Sequence, residues 1–161
     1  MTVDAAIERA ASGGAETPLR SLLFVPGDSE RKLAKCETAG ADALVLDLED
    51  SVAPSRKAFA RMLVAEYLEQ HAARRPELWV RVNPLGDTEF RKDVDRIVAA
   101  RPRGLVLPKT AGPEDVALVG ARLTHLELLH GIDEGSTLLL PIATETPASV
   151  FSLGTGVDRS A

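Results

Sequence analysis

Charged side chains recur just after short apolar runs. Glu49 and Asp50 close ADALVLDLED, Arg81 interrupts WVRVN, Lys109 follows GLVLP, and Glu145 follows LLLPIAT. A carboxylate placed like Glu145 can serve a hard divalent cation such as magnesium, which takes one or two carboxylates together with water and substrate oxygens. It can equally be a helix-start carboxylate that complements the dipole. Glu49 and Asp50 can hold metal-bound water or orient basic groups, or act as turn and capping groups before Ser51 and Pro54. Asp47 is expected to face elsewhere. Arg81 is the more pointed signal, because a guanidinium inside an apolar strand is costly unless it is paired. Its anion is Glu49 or Asp50, or a substrate carboxylate taken by the bidentate fork. Lys109 can partner a carboxylate or, if desolvated, act as an amine nucleophile. Neighbouring carboxylates hold an ammonium charged, which disfavours Schiff-base chemistry. Arg20 can point the same way or stand as an exposed flanking charge. Cys36 reads as a small buried hydrophobe, and His71, His125 and His130 as surface groups away from the chemistry.

These groups need elements that end together. Leu22 to Val25 reads as a strand closed by Pro26-Gly27, with Asp28 and Ser29 offering oxygens to cap a helix to about Ala39. A second strand begins at Asp42, and Pro54 opens a helix to around His71. Trp79 to Val82 reads as a third strand, followed by an amphipathic helix from about Thr88 to Ala100. Gly104 to Leu107 is a fourth, before a helix started by Pro113. Leu138 to Ala143 is a fifth, with Pro147 starting another helix. Alternating strands and helices imply right-handed crossovers and a parallel sheet. Periodicity alone does not separate a doubly wound open sheet from a closed barrel. No strand is followed by GxGxxG or a P-loop pattern, and polar groups follow every strand, as they do where the carboxyl ends of a barrel share one face.

The chain has 161 residues, of which 45% are apolar and only 4% aromatic. A core can therefore form, packed mostly by Ala, Val and Leu as in strands buried on both faces. A complete barrel takes roughly 250 residues, so residues 20–161 are expected to form the amino-terminal portion of one, with 1–19 a loose tail. A net charge of −5 gives no footprint for nucleic acid or an anionic membrane. A single cysteine excludes an internal disulfide, the first residues lack secretory architecture, and no apolar run is long enough to span a bilayer. The expectation is a cytoplasmic protein.

Taken in order, RSLLFVPGDSERKLAKC, GADALVLDLEDSVAP, WVRVNPLGD, GLVLPKT and PIATETP resemble the citrate lyase beta subunits and malyl-CoA-type lyases, from Arg20 to about Ser149. The resemblance implies a (β/α)₈ TIM-type barrel, usually a homo-oligomer. It implies magnesium-dependent cleavage or formation of a carbon-carbon bond in a 3-hydroxyacyl-CoA thioester of malyl, citramalyl or citryl type. It assigns metal binding to Glu145 and substrate binding to Arg81. Glu49 and Asp50 become organisers of metal water and basic groups, and Arg20 and Lys109 further residues lining the site. The family's second metal ligand, an aspartate after the sixth strand, has no counterpart before Ala161, and Asp158 lies too near Glu145 to replace it. The barrel is thus expected to be truncated after its fifth strand-helix unit. A metal-dependent aldolase acting on free 2-oxo acids, and a non-catalytic fragment or partner subunit, are the alternatives.

Overall fold

Each of the five apolar runs forms a strand: β1 (Leu22–Pro26), β2 (Ala43–Asp47), β3 (Glu77–Arg81), β4 (Gly104–Leu107) and β5 (Leu138–Pro141). Between them lie α1 (Glu30–Cys36), α2 (Lys57–His71), α3 (Phe90–Ala99) and α4 (Pro113–Leu129). The computed structural model describes residues 19–36, 38–71 and 76–145. The expected tail before residue 19, the helix started by Pro147, and Asp158 lie outside the described residues. Boundaries shift for local reasons. Pro54 opens a 3-10 turn through Arg56 before α2 begins at Lys57. At the start of α1, the Asp28 carboxylate binds Arg56 Nε at 2.8 Å rather than capping the helix.

The strands run parallel in the order β1-β2-β3-β4-β5. That order decides between the two architectures left open by periodicity. A doubly wound sheet reverses direction and places helices on both faces, whereas an unreversed series of right-handed crossovers puts every helix on one face. The two apolar clusters follow that division. Leu44, Leu46, Leu48, Val80, Val82, Leu105 and Leu107 meet Val64, Leu68, Val94, Ile97 and Leu123 of the helices. Ala43, Val45, Trp79 and Val106 form a separate cluster on the opposite face, with Leu19 and Ile142 against it and no helical residue. The architecture is therefore α/β with the unreversed winding of a TIM barrel. Burying each large side chain of the helix-facing layer contributes about 1.5–3 kcal/mol.

The helix-free face is layered by register. Val45 lies beside Trp79, and Trp79 beside Gly104. A Cβ on Gly104 would come within 2.5 Å of Trp79 Cζ3 and 2.6 Å of the Leu138 carbonyl, so the indole fits here only because residue 104 has no side chain. One layer toward the carboxyl ends, Asp47 lies beside Arg81. The edge strands leave Leu22, Phe24, Leu138 and Leu140 more than a third exposed. Among the described residues, no helix is long and apolar enough to cross a membrane.

Candidate active site at the carboxyl ends of the strands

Parallel register places Asp47 and Arg81 side by side on the helix-free face, and their side chains close on each other. Arg81 donates from Nε to Asp47 Oδ1 at 2.8 Å and from Nη2 to Oδ2 at 2.7 Å. The same carboxylate accepts the amides of Glu49, at 2.9 Å, and Ser51, at 3.2 Å. Asp47 is 1% exposed. Burial alone pushes its pKa up, but the Arg81 fork and the two amides outweigh this and hold it below the ordinary value. Arg81 is raised, chiefly by its hydrogen bonds to Asp47. Its guanidinium also lies 4.9 Å from the Phe24 ring centroid, a cation-π contact.

Two expectations change here. Asp47 was expected to face elsewhere, yet it shares the side-chain parity of Glu49, two residues on, and it is the principal partner of Arg81. The bidentate fork of Arg81, expected to serve Glu49, Asp50 or a substrate carboxylate, is taken by Asp47. What remains toward the mouth is Nη1, 3.1 Å from Glu49 Oε2.

Glu49 is 3% exposed, and Lys109 Nζ donates to its Oε1 at 2.6 Å. Its Oε2 is buried and has no hydrogen-bond partner. The Arg81 contact at 3.1 Å supplies charge attraction at ion-pair distance but not the alignment of a hydrogen bond. Asp50 is exposed, with Oδ1 3.4 Å from Lys109 Nζ. Lys109 has φ 53°, a left-handed conformation that costs a non-glycine residue about 1–2 kcal/mol. In that conformation its amide donates to Glu145 Oε2 at 2.8 Å while its ammonium reaches Glu49. The Lys109 pKa is raised, mainly by the Glu49 hydrogen bond, so the amine is held as an ammonium and not readied as a nucleophile. Thr110 ties β4 to β5 through Oγ1 and the Ile142 carbonyl, 3.2 Å apart.

The fold thus brings Glu49, Asp50, Arg81, Lys109 and Glu145 to one mouth. It does not bring Arg20. That residue precedes β1 at the amino end of the sheet, where its guanidinium and amide bind Asp42 at 2.9 to 3.3 Å. A position before a strand lies at the wrong end for a site built where strands finish. His71 stacks on Tyr67 at the end of α2, and His125 and His130 are exposed on and just after α4. Cys36 is buried.

No cluster of three or more His, Cys, Asp or Glu side chains suited to a metal occurs among the described residues. The exposed Glu145 carboxylate instead suits a hard, water-rich cation that takes most of its ligands from water and substrate oxygens. Magnesium fits this arrangement, whereas a tetrahedral zinc site would need more protein ligands.

Comparison with known proteins agrees in sequence and in fold. The model of the HpcH/HpaI aldolase/citrate lyase family matches residues 20–154. Citrate lyase subunit beta of Haemophilus influenzae is 38% identical over 132 residues, 81% of this chain and 45% of that one. The mitochondrial citramalyl-CoA lyase of Rattus norvegicus is 38% identical over 101 residues, 62% of this chain and 30% of that one. The chain therefore spans less than half the length of these relatives. A citrate lyase beta subunit from M. tuberculosis, solved with oxaloacetate and magnesium, superposes with a TM-score of 0.56 at 24% identity, covering 86% of this chain and 66% of that one. At that identity the likeness is one of fold.

Proposed function

The chain belongs to the HpcH/HpaI aldolase/citrate lyase family, and from that membership we propose a magnesium-dependent carbon-carbon lyase acting on a 3-hydroxyacyl-CoA thioester of malyl, citramalyl or citryl type. The observation that carries the proposal is the Glu49 carboxylate. It is buried between the cations of Arg81 and Lys109, with Oε2 left without a hydrogen-bond donor. A buried carboxylate oxygen held by charge alone forgoes the roughly 1 kcal/mol of an aligned hydrogen bond.

The roles follow from placement. Glu145 would hold the cation, and the Lys109 amide fixes one oxygen of that carboxylate. When bound there, magnesium supplies Lewis-acid stabilisation of the negative charge that carbon-carbon cleavage places on oxygen. Arg81, its fork committed to Asp47, presents Nη1 and a fixed positive charge to a carboxylated ligand. Lys109 adds a second cation whose exposed portion faces solvent at the mouth. Asp50 limits the swing of that ammonium. Arg20, bound to Asp42 at the far end of the sheet, has no part in this reading. The reading includes a cytoplasmic setting, in which Cys36 stays a thiol, and a homo-oligomer, for which the apolar edge strands give a motive.

The test is a cleavage assay of the purified chain with malyl-CoA, citramalyl-CoA and a 4-hydroxy-2-oxo acid, with magnesium or with a chelator. Magnesium-dependent cleavage of a CoA thioester is the expected result. Cleavage of the free oxo acid alone would transfer the site to the aldolase reading, and inertness toward all three would overturn catalysis by this chain.

A further inference from the structure

A second charged network lies behind the mouth, on the helix side of the sheet. Lys57, the first residue of α2, donates from Nζ to the carbonyls of Leu48 and Glu49 and to Asn83 Oδ1, each at 2.7 Å. An ammonium has three donors, and all three go here to neutral acceptors. Asn83, 2% exposed just beyond β3, donates from Nδ2 to the Leu48 carbonyl at 3.1 Å and to Asp93 Oδ2 at 2.6 Å. Its backbone amide meets the same Asp93 oxygen at 3.0 Å. Asp93, fully buried on α3, accepts from Nε of Arg61 at 2.7 Å, and Arg61 also pairs with Glu89. Lys57 and Arg61 stand one turn apart on α2. The network therefore ties two helices to the ends of β2 and β3.

Glu49 supplies the reason to look for such a device. A buried carboxylate oxygen held at ion-pair distance without an aligned donor is less favourable than a hydrogen-bonded one. The arrangement persists only where the surrounding structure over-determines the backbone. We infer that Lys57 is a positioning residue: by binding the Leu48 and Glu49 carbonyls from the helix side, it fixes the backbone that sets the Glu49 carboxylate between Arg81 and Lys109. Asn83 transmits the same restraint to β3, so the two strand ends that carry Glu49 and Arg81 are held in a fixed relation. A ligand at this mouth rests on the proposed lyase site, but the positioning itself does not.

Amide hydrogen exchange followed by NMR tests this without any ligand. The Glu49 and Ser51 amides bind Asp47, and the Val52 amide shares the Glu49 carbonyl with Lys57. In Lys57→Met these three amides are expected to exchange about tenfold or more faster, while Val45, Val80 and Leu105 change only by the factor that global stability sets. Lys57→Arg, which keeps charge and donors, is expected to fall between Met and the native residue. If the Met variant does not fold, Lys57→Gln, which keeps an amide donor, carries the same comparison. A uniform rise across all six amides would overturn the inference and leave Lys57 a general stabiliser. Titration of the same samples with magnesium and oxalate separates the two readings. Selective loosening in a chain that binds neither would keep the positioning role and remove the lyase site. Binding without selective loosening would do the reverse.

Discussion

The two ends of the sheet carry similar residue types and use them oppositely. At the amino end, Asp42 accepts the Arg20 guanidinium and amide and the Ser21 hydroxyl and amide, and Arg20 is 77% exposed. Water reaches this pair. At the carboxyl end, Asp47 and Glu49 are almost wholly buried, Arg81 is 13% exposed, and one carboxylate oxygen lacks a donor. Arginine-aspartate pairing alone says little about function. Burial combined with an unmet acceptor separates a site from a clasp, because only the buried end gains from a ligand.

The largest expected effect comes from removing the buried cation. Arg81→Met leaves Asp47 uncompensated and should cost about 3–5 kcal/mol in urea unfolding. The matching change at the other end, Arg20→Met, should leave the unfolding midpoint nearly unmoved, as exposed pairs contribute little. Similar losses at both ends would break the comparison.

Acid should expose the same contrast. The folded pKa of Asp47 is depressed, so its contribution is fully present above the ordinary carboxylate pKa of about 4 and is lost as pH falls through the folded value. Asp42 is depressed too, mainly by its hydrogen bonds to Arg20, but that pair is exposed and screened by salt. In high salt, acid-dependent loss of stability should therefore persist in the native chain and flatten in Asp47→Asn. An unchanged acid limb in that variant would remove Asp47 from the account.

A smaller effect concerns two strained residues, one at each end. Arg101, just after α3, has φ 57°, and Lys109 has φ 53°. Glycine relieves such strain, for a net gain of up to about 1 kcal/mol. Arg101→Gly should raise the melting temperature slightly and leave ligand binding alone. Lys109→Gly keeps the amide that binds Glu145 but removes the ammonium from Glu49, so it should abolish ligand binding whatever it does to stability. Equal binding by both variants would deny Lys109 a role at the mouth.

Much of this architecture was legible in the chain. Five apolar runs marked five strands, three of them continuous because β2, β3 and β4 are largely buried on both faces, and charged groups after them marked the mouth. The Asp47–Arg81 pair was not legible, because it depends on the register between two strands, and register is set by packing across the sheet. Parity offered a partial signal, since Asp47 and Glu49 lie two residues apart and must share a face. Only the resemblance placed Arg20 at the site; its other reading, an exposed flanking charge, is what the structure shows, because residues before a parallel strand gather at the amino face. The left-handed backbone of Lys109 escapes any pattern that expects glycine there. Lys57 escaped too, because a lysine at a helix start reads as an ordinary exposed charge, and only its three neutral acceptors distinguish it.

The central claim is that the mouth takes a carboxylated ligand together with a cation at Glu145. Isothermal titration of the purified chain with oxalate, with magnesium present and then with it chelated, tests this most directly, alongside Glu145→Ala. The account predicts binding that requires magnesium and disappears in the variant. Absence of binding in the native chain, or binding that survives either chelation or the loss of Glu145, would contradict it.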